Sequence, residues 1–354
     1  MRGRLTRVDD LARAGLVGED SLPRLREVAR RYAVAVTPAV ARRIAAGSEA
    51  VALQFLPSAD ELDVAAGDRT DPIGDTAHSP VRGIVHRYPD RLLLQPTMAC
   101  PVYCRYCFRR ETVGQSDAGL LRPRELEMAL RYIREHGEVW EVILSGGDPL
   151  VLSPRRLASI RDGLADAPHV RILRIHSRVP VAAPERITRE LIGVLREARQ
   201  AVWIVLHVNH PDELDEAALT ACAAIADAGL PLLSQTVLLR GVNDDAVVLE
   251  RLFRTLVENR VRPYYLHHCD LAPGTAGFRT DIETGQALMR QLRGSVSGLC
   301  QPAYVLDIPG GAGKSPIGPS YLERDGEAWR VRDYRGGVHR YPPGSDGTDP
   351  VSGD

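Results

Sequence analysis

The chain has 354 residues, 44% of them apolar, and its 45 Lys plus Arg nearly cancel 46 Asp plus Glu, which allows one large α/β core or two modest domains. A net charge of −1 offers no field for nucleic acid or an acidic membrane surface, so a small or zwitterionic partner is expected. No run approaches the roughly 20 apolar residues that span a bilayer, and MRGRLTRVDD at the N-terminus lacks a signal-peptide core, so a cytoplasmic protein is expected.

Residues 1–70 read as a leading helical layer, with SLPRLREVARRYAVAV and TPAVARRIAAG carrying apolar residues at helical spacing behind Ser or Thr caps. The Pro-, Gly- and Asp-rich run DPIGDTAHSPVRGIVHRYPDR is expected as an extended loop. From Leu92 an alternation of short β-rich runs and amphipathic stretches predicts about six βα units on a parallel sheet. The strands are LLLQ (92–95), EVILSG (141–146), VRILRIHS (170–177), AVWIVLHV (201–208), LPLLSQTVLL (230–239) and VRPYYLHH (261–268), with helices starting near Arg122, Ser153, Pro184, Asp212 and Asp244. The C-terminal strand ends, where chemistry sits in such sheets, carry polar residues in every unit. A helix over 281–297, the strand PAYVLDIP and a flexible glycine-rich loop ending at Lys314 follow. The Gly-, Pro- and Asp-rich tail from 335 is expected to be partly unstructured.

Of six cysteines, Cys100, Cys104 and Cys107 fall within eight residues, while Cys222, Cys269 and Cys300 are scattered. This is not a disulfide framework. Three thiolates on one loop can hold an iron-sulfur cluster, one ligand short of the four that close it, leaving an iron open; a zinc site would need a fourth protein ligand. Cys222 and Cys300 suit small buried apolar positions. The Ser145-Gly146-Gly147-Asp148 turn has the small residues that let a backbone approach a ligand, and equally those of a simple strand-to-helix turn. Lys314 does not complete a phosphate-binding GxxxxGK[ST] loop, because Ile308 stands where glycine is required. On spacing alone, a lysine forming a Schiff base with pyridoxal phosphate and a solvated surface lysine both remain open. In HVNH (207–210), His207 ends a strand and His210 is read as structural.

The motif CxxxCxxC after a first barrel strand, with Tyr106 before the last cysteine, resembles the radical S-adenosylmethionine superfamily. HRYPDR, CRYCFRR, LSGGDPL, HVNHPDE, QTVLLRGVND, RPYYLHHCDL, LRGSVSGL and DIPGGAGKSP, in this order over about 71–321, resemble the motifs of the lysine 2,3-aminomutase family. The resemblance implies an α/β fold: a partial (β/α)6 radical barrel over 71–270, behind the helical segment 1–70, with a C-terminal pyridoxal-phosphate- and substrate-binding extension over 271–334 and the tail 335–354. It implies a [4Fe-4S] cluster on Cys100, Cys104 and Cys107. S-adenosyl-L-methionine would lie against Ser145, Gly146, Gly147, Asp148, His207 and Gln235. Pyridoxal 5′-phosphate would be held by Lys314, with Arg87 and Arg91 on its phosphate.

Arg109 would take the substrate carboxylate in the bidentate fork that arginine offers, and Asp270 with Asp307 the ε-ammonium of lysine. The implied reaction is a radical 1,2-amino shift from L-lysine to β-lysine, with an electron donor such as flavodoxin or ferredoxin. A homo-oligomer is compatible with the resemblance. Asp245 follows GVND where the clostridial type has a zinc-binding cysteine, and no cysteine follows Cys300, so no zinc is expected. Gly277 and His267 stand where relatives often carry histidine and tyrosine. Relatives that make (R)-β-lysine for elongation factor P, and aminomutases of glutamate or arginine, remain alternatives.

Overall fold

In the computed structural model, which describes residues 3–115 and 119–342, the amphipathic runs form helices through recognisable end signals. The N-terminal layer consists of α1 (Val8–Arg13), α2 (Leu22–Arg31), α3 (Pro38–Ala45) and α4 (Glu49–Phe55). Thr37 and Ser48 cap α3 and α4 with side-chain oxygens on Val40 N–H and Val51 N–H, satisfying donors that a helix leaves unpaired. Helix α2 stops at Arg31. The valine-rich continuation to Val36 runs extended instead and pairs with Leu5, as β-branched residues favour.

The main sheet has nine strands in sequence order: β1 (Ile84–Tyr88), β2 (Arg91–Thr97), β3 (Glu141–Gly146), β4 (Ile172–Ser177), β5 (Ala201–His207), β6 (Leu232–Val237), β7 (Val261–His267), β8 (Ala303–Ile308) and β9 (Gly313–Pro316). Strands β2 to β8 are parallel; β1 and β9 are antiparallel edges. The six predicted parallel strands are all present, PAYVLDIP joins them as a seventh, and the sheet curls into a nearly closed barrel. The edges meet without a ladder: Lys314 N–H donates to Tyr88 Oη at 2.7 Å. Gly313 lies at φ +102°, and a Cβ there would stand 2.9 Å from the same oxygen, so this approach requires glycine.

Two expectations about the edges of the main sheet are corrected. The stretch 71–91 is not all loop, because IVHRY forms β1 against β2, Val85 opposite Leu93; its flanking Pro, Gly and Asp hid a five-residue strand. Lys314 does not sit on a flexible loop but on β9, whose hairpin with β8 places it directly opposite Asp307.

The crossovers pack outside the sheet, as right-handed βα connections require. They are α5 (Pro123–Glu135), α6 (Pro154–Ala165), α7 (Val179–Ala182), α8 (Arg189–Arg196), α9 (Glu216–Asp227), α10 (Ala246–Glu258) and α11 (Ile282–Ser295). Helix α5 buries Leu126, Ala129, Leu130 and Ile133, the stripe its spacing dictates. Each fully buried leucine or isoleucine in this core contributes about 1.5–3 kcal/mol. The helix expected from Pro184 begins as a 3-10 turn, Pro184–Arg186, and continues as α8 only from Arg189, while the short α7 precedes it. The one expected from Asp212 begins as a 3-10 turn, and α9 starts after Asp215, whose carboxylate caps Ala218 N–H and pairs with Arg43 of α3.

A small antiparallel sheet follows: β10 (Leu322–Asp325), β11 (Ala328–Arg332) and β12 (Val338–Tyr341). The tail expected to be partly unstructured therefore contains β12; positions 343–354 lie outside the described residues. No described helix is long and apolar enough to cross a membrane.

Candidate active site

The strands' C-terminal ends open onto a cavity of ≈ 880 Å³, and every site residue proposed from the sequence lines it, from Arg87, Arg91, Cys100, Cys104, Cys107 and Arg109 to Asp270, Asp307 and Lys314. That volume lies within the range of a large ligand site.

The cysteine loop follows β2 and is held by charge. Arg105 and Arg110, on either side of Cys107, both donate to Glu61, which is 2% exposed. Arg110 also donates to the carbonyls of Arg105 (2.8 Å) and Gly274 (3.0 Å) and stacks over Tyr32. Of the loop's three arginines, then, two anchor it and only Arg109 enters the cavity. Burial pushes the Cys107 thiol up to about 11 and raises Cys100 well above its ordinary value, with Asp148 adding to the latter.

Metal coordination would draw off those protons. Among the described residues no three His, Cys, Asp or Glu side chains gather on a single-ion site. A cubane instead takes each thiolate on a different iron, so three thiols along one wall fit a cluster. Arg178 stands behind them, with Nη1 3.5 Å from Cys104 Sγ and hydrogen-bonded to Tyr106 Oη. Its Nη2 binds Glu213 and, at 2.9 Å, Gln54 Oε1. Burial works to discharge Arg178, but Glu213 and Tyr106 hold it protonated.

The SGGD turn packs tightly on this loop. Gly146 lies at φ +101°, and a Cβ on Gly147 would stand 2.3 Å from Ala99 O; Gly147 and Asp148 N–H donate to Thr97 O (2.8 Å) and Ala99 O (2.9 Å). The glycines are thus dictated first by backbone packing. Asp148 accepts from Leu150 N (3.0 Å), Ser177 Oγ (2.8 Å), Arg178 N (2.7 Å) and Val179 N (3.2 Å), so it splices the β3 turn to the end of β4. Its burial still raises its carboxyl above the usual range.

His207 ends β5 with Nε2 3.1 Å from Tyr106 Oη, beside Gln235 of β6. Burial, then the charge of Arg178, keep its imidazole neutral, well below its ordinary pKa. His210 does serve structure: its Nδ1 accepts from Asp212 N–H at 3.2 Å. His268 turns the other way to Tyr304, as strand alternation demands, and Asp245 caps α10 through Val247 and Val248 N–H.

On the opposite wall Lys314 Nζ pairs with Asp307 and lies 3.3 Å from His267 Nδ1 and 5.6 Å from the Tyr265 ring centre. Burial disfavours ionised Asp307, but His267 and Lys314 outweigh it and hold the carboxyl well below the usual range. Asp270 is the reverse: burial, with Asp307 nearby, pushes it up to about 7. Arg87 donates to Ile73 O (2.5 Å) and Asp75 (3.3 Å) and reaches within 4.0 Å of Asp307. Arg91 stacks 3.9 Å over Tyr88 at the rim and bonds Asp90. Arg109 donates Nε to Asp75 at 2.7 Å and lies 3.4 Å from Ser145 Oγ.

Four buried nitrogens on cavity-lining residues, Arg87 Nε, Arg174 Nε, His176 Nε2 and Arg178 Nε, have no partner among the described residues. Burial and the charge of Arg174 keep His176 neutral. Such orphaned groups suit polar ligands, and together with Lys314 they fit a phosphorylated aldehyde. Sequence reasoning missed Asp75, Glu61, Glu213 and Gln54, which have no local signature. It counted His176 and Arg178 among the polar residues at a strand end but gave them no role.

Residues 94–252 match the family model described as the radical SAM superfamily, so the fold and the three-cysteine site define an S-adenosylmethionine radical enzyme. Residues 289–353 match the model described as lysine-2,3-aminomutase. The chain is 41% identical over 344 residues to the L-lysine 2,3-aminomutase of Clostridium subterminale, covering 96% of this chain and 82% of that protein. It is 43% identical over 295 residues to that of Acetoanaerobium sticklandii (83% and 71%), and 34% over 341 residues to the glutamate 2,3-aminomutase of Clostridioides difficile (96% and 80%). The chain belongs to the lysine 2,3-aminomutase family, isomerases that use a [4Fe-4S] cluster, S-adenosylmethionine and pyridoxal phosphate.

Proposed function

We propose that this chain interconverts L-lysine and β-lysine, and that the substrate is read by charge at its two ends. The observation that carries the reading is one cavity lined by Arg109 near the cysteines and by Asp270 and Asp307 on the far wall. A guanidinium fork matches a carboxylate, and two carboxylates match an ammonium. The carboxylate pair disfavours glutamate, whose side chain would meet like charge in a poorly solvated site.

Bound cluster and S-adenosylmethionine supply an adenosyl radical, and pyridoxal phosphate supplies an aldehyde with an electron-delocalising ring. Cys100, Cys104 and Cys107 hold the cluster. Ser145, Gly146, Gly147, His207 and Gln235 line the S-adenosylmethionine side, with Asp148 splicing that wall together. Arg87 and Arg91 would hold the phosphate and Lys314 the aldehyde end. With Lys314 Nζ engaged by the aldehyde, Asp307 would be free to receive the ammonium of lysine, so the substrate would restore the ion pair that the buried carboxylate gave up. A flavodoxin- or ferredoxin-class donor in the cytoplasm would supply the electron.

Protein reconstituted anaerobically and given reductant, S-adenosylmethionine and a panel of amino acids should form β-lysine from lysine. Turnover of glutamate or arginine with none of lysine overturns the substrate assignment.

A further inference from the structure

The segment from Asp71 to Ser79 has no part in the reading above, yet it touches both arginines of the ligand wall and the approach to Lys314. Asp71 shapes it, accepting from the N–H groups of Asp75 (2.9 Å) and Thr76 (2.8 Å). On one side the segment is clasped to the turn before β9. A Cβ on Gly74 would stand 2.6 Å from the Gly310 carbonyl carbon, and His78 Nε2 lies 3.2 Å from Gly311 O. On the other side a single carboxylate, Asp75, takes Arg109 Nε on Oδ2 and Arg87 Nη2 on Oδ1. Its side chain is 17% exposed, and those of both arginines 11%, so water cannot readily stand in for the pairs.

We propose that Asp75 is a positioning residue: by gripping Arg109 through Nε it orients the guanidinium for the substrate carboxylate, and by sharing its carboxylate with Arg87 it couples that orientation to the phosphate site. The inference rests on Arg109 being the carboxylate holder. Arginine's side chain loses much rotational freedom when it is ordered. Anchoring the Nε edge fixes the plane of the fork beforehand, leaving the terminal nitrogens for a ligand. Asp75 also places one negative charge between two poorly solvated guanidinium groups.

The test compares L-lysine with L-lysinamide, which lacks the carboxylate. Dissociation constants are read from the change in pyridoxal phosphate absorbance of the reconstituted protein, without turnover. The unmodified protein should prefer lysine. In Asp75→Asn that preference should fall by about 10- to 100-fold, the range a hydrogen bond to a charged group is worth, with cofactor absorbance and the reduced-cluster EPR signal retained; Asp75→Glu should recover part of it. Should Asp75→Asn fold poorly, Asp71→Asn, which loosens the segment but keeps Asp75, should shift the preference in the same direction by less. A wild-type preference unchanged in Asp75→Asn, or in Asp71→Asn where that variant is used, overturns the proposal. Absence of the preference in the unmodified protein overturns the Arg109 assignment and this proposal with it, so the two failures are distinguishable.

Discussion

On the cysteine side of the cavity the buried charges find their partners inside the protein: Glu61 between Arg105 and Arg110, Arg178 on Glu213, Asp148 under four donors. On the lysine side the charges face the cavity. Lys314 rests on Asp307, Arg87 and Arg109 share Asp75, and the described side-chain hydrogen bonds to Asp270 end on its backbone carbonyl rather than its carboxylate. The first wall is a closed network that fixes a cluster loop in one geometry, as rigid cofactor support requires. The second is a set of pairs that ligands can replace, and it carries the most displaced carboxyls, Asp270 up and Asp307 down, as functional sites do.

The contrast can be broken from either side. The largest effect is expected on the exchangeable wall: Lys314→Ala should abolish both the visible absorbance of bound pyridoxal phosphate and borohydride trapping of the cofactor on the protein. An unchanged spectrum would remove Lys314 from that role. On the closed wall, Glu61→Gln strands two buried guanidinium groups. It should cost about 3–5 kcal/mol in denaturant unfolding and lower the iron content after reconstitution; a loss under 1 kcal/mol would mean the network is not what holds the loop.

Asp148→Asn places an amide where four donors converge, and about 1–3 kcal/mol should be lost, with lysine specificity unchanged. The smallest effect sharpens the comparison through pH. Asp270, pushed up to about 7, attracts an ammonium only when ionised. Lysine affinity should therefore be highest above pH 7 and weaken as pH drops, approaching tenfold per unit. Asp270→Asn should flatten that profile, and a profile identical in both proteins would refute the assignment.

Much of this was legible from local pattern. The β-rich runs from Leu92 to His268 reappear as β2 to β7 because a parallel strand buried on both faces writes its own apolar run. Cys100, Cys104 and Cys107 were legible as one group because they crowd into a single short loop. Strand β1 was not, since five residues among Pro, Gly and Asp carry too little periodicity. The placement of Lys314 was not either: the glycines that read as flexibility form the turn of a hairpin, and only its register sets Lys314 against Asp307.

By itself the sequence determined the βα alternation, the cysteine loop and the residue types at each strand end, because these depend on spacing along one segment. Tertiary structure alone decided which charges neutralise one another. Asp75 meets Arg109 across 34 positions, Glu61 meets Arg105 across 44 and Arg178 meets Glu213 across 35. A carboxylate bears no local mark of the guanidinium it will face, since that pairing is set by how the sheet curls and which loops its edges bring together.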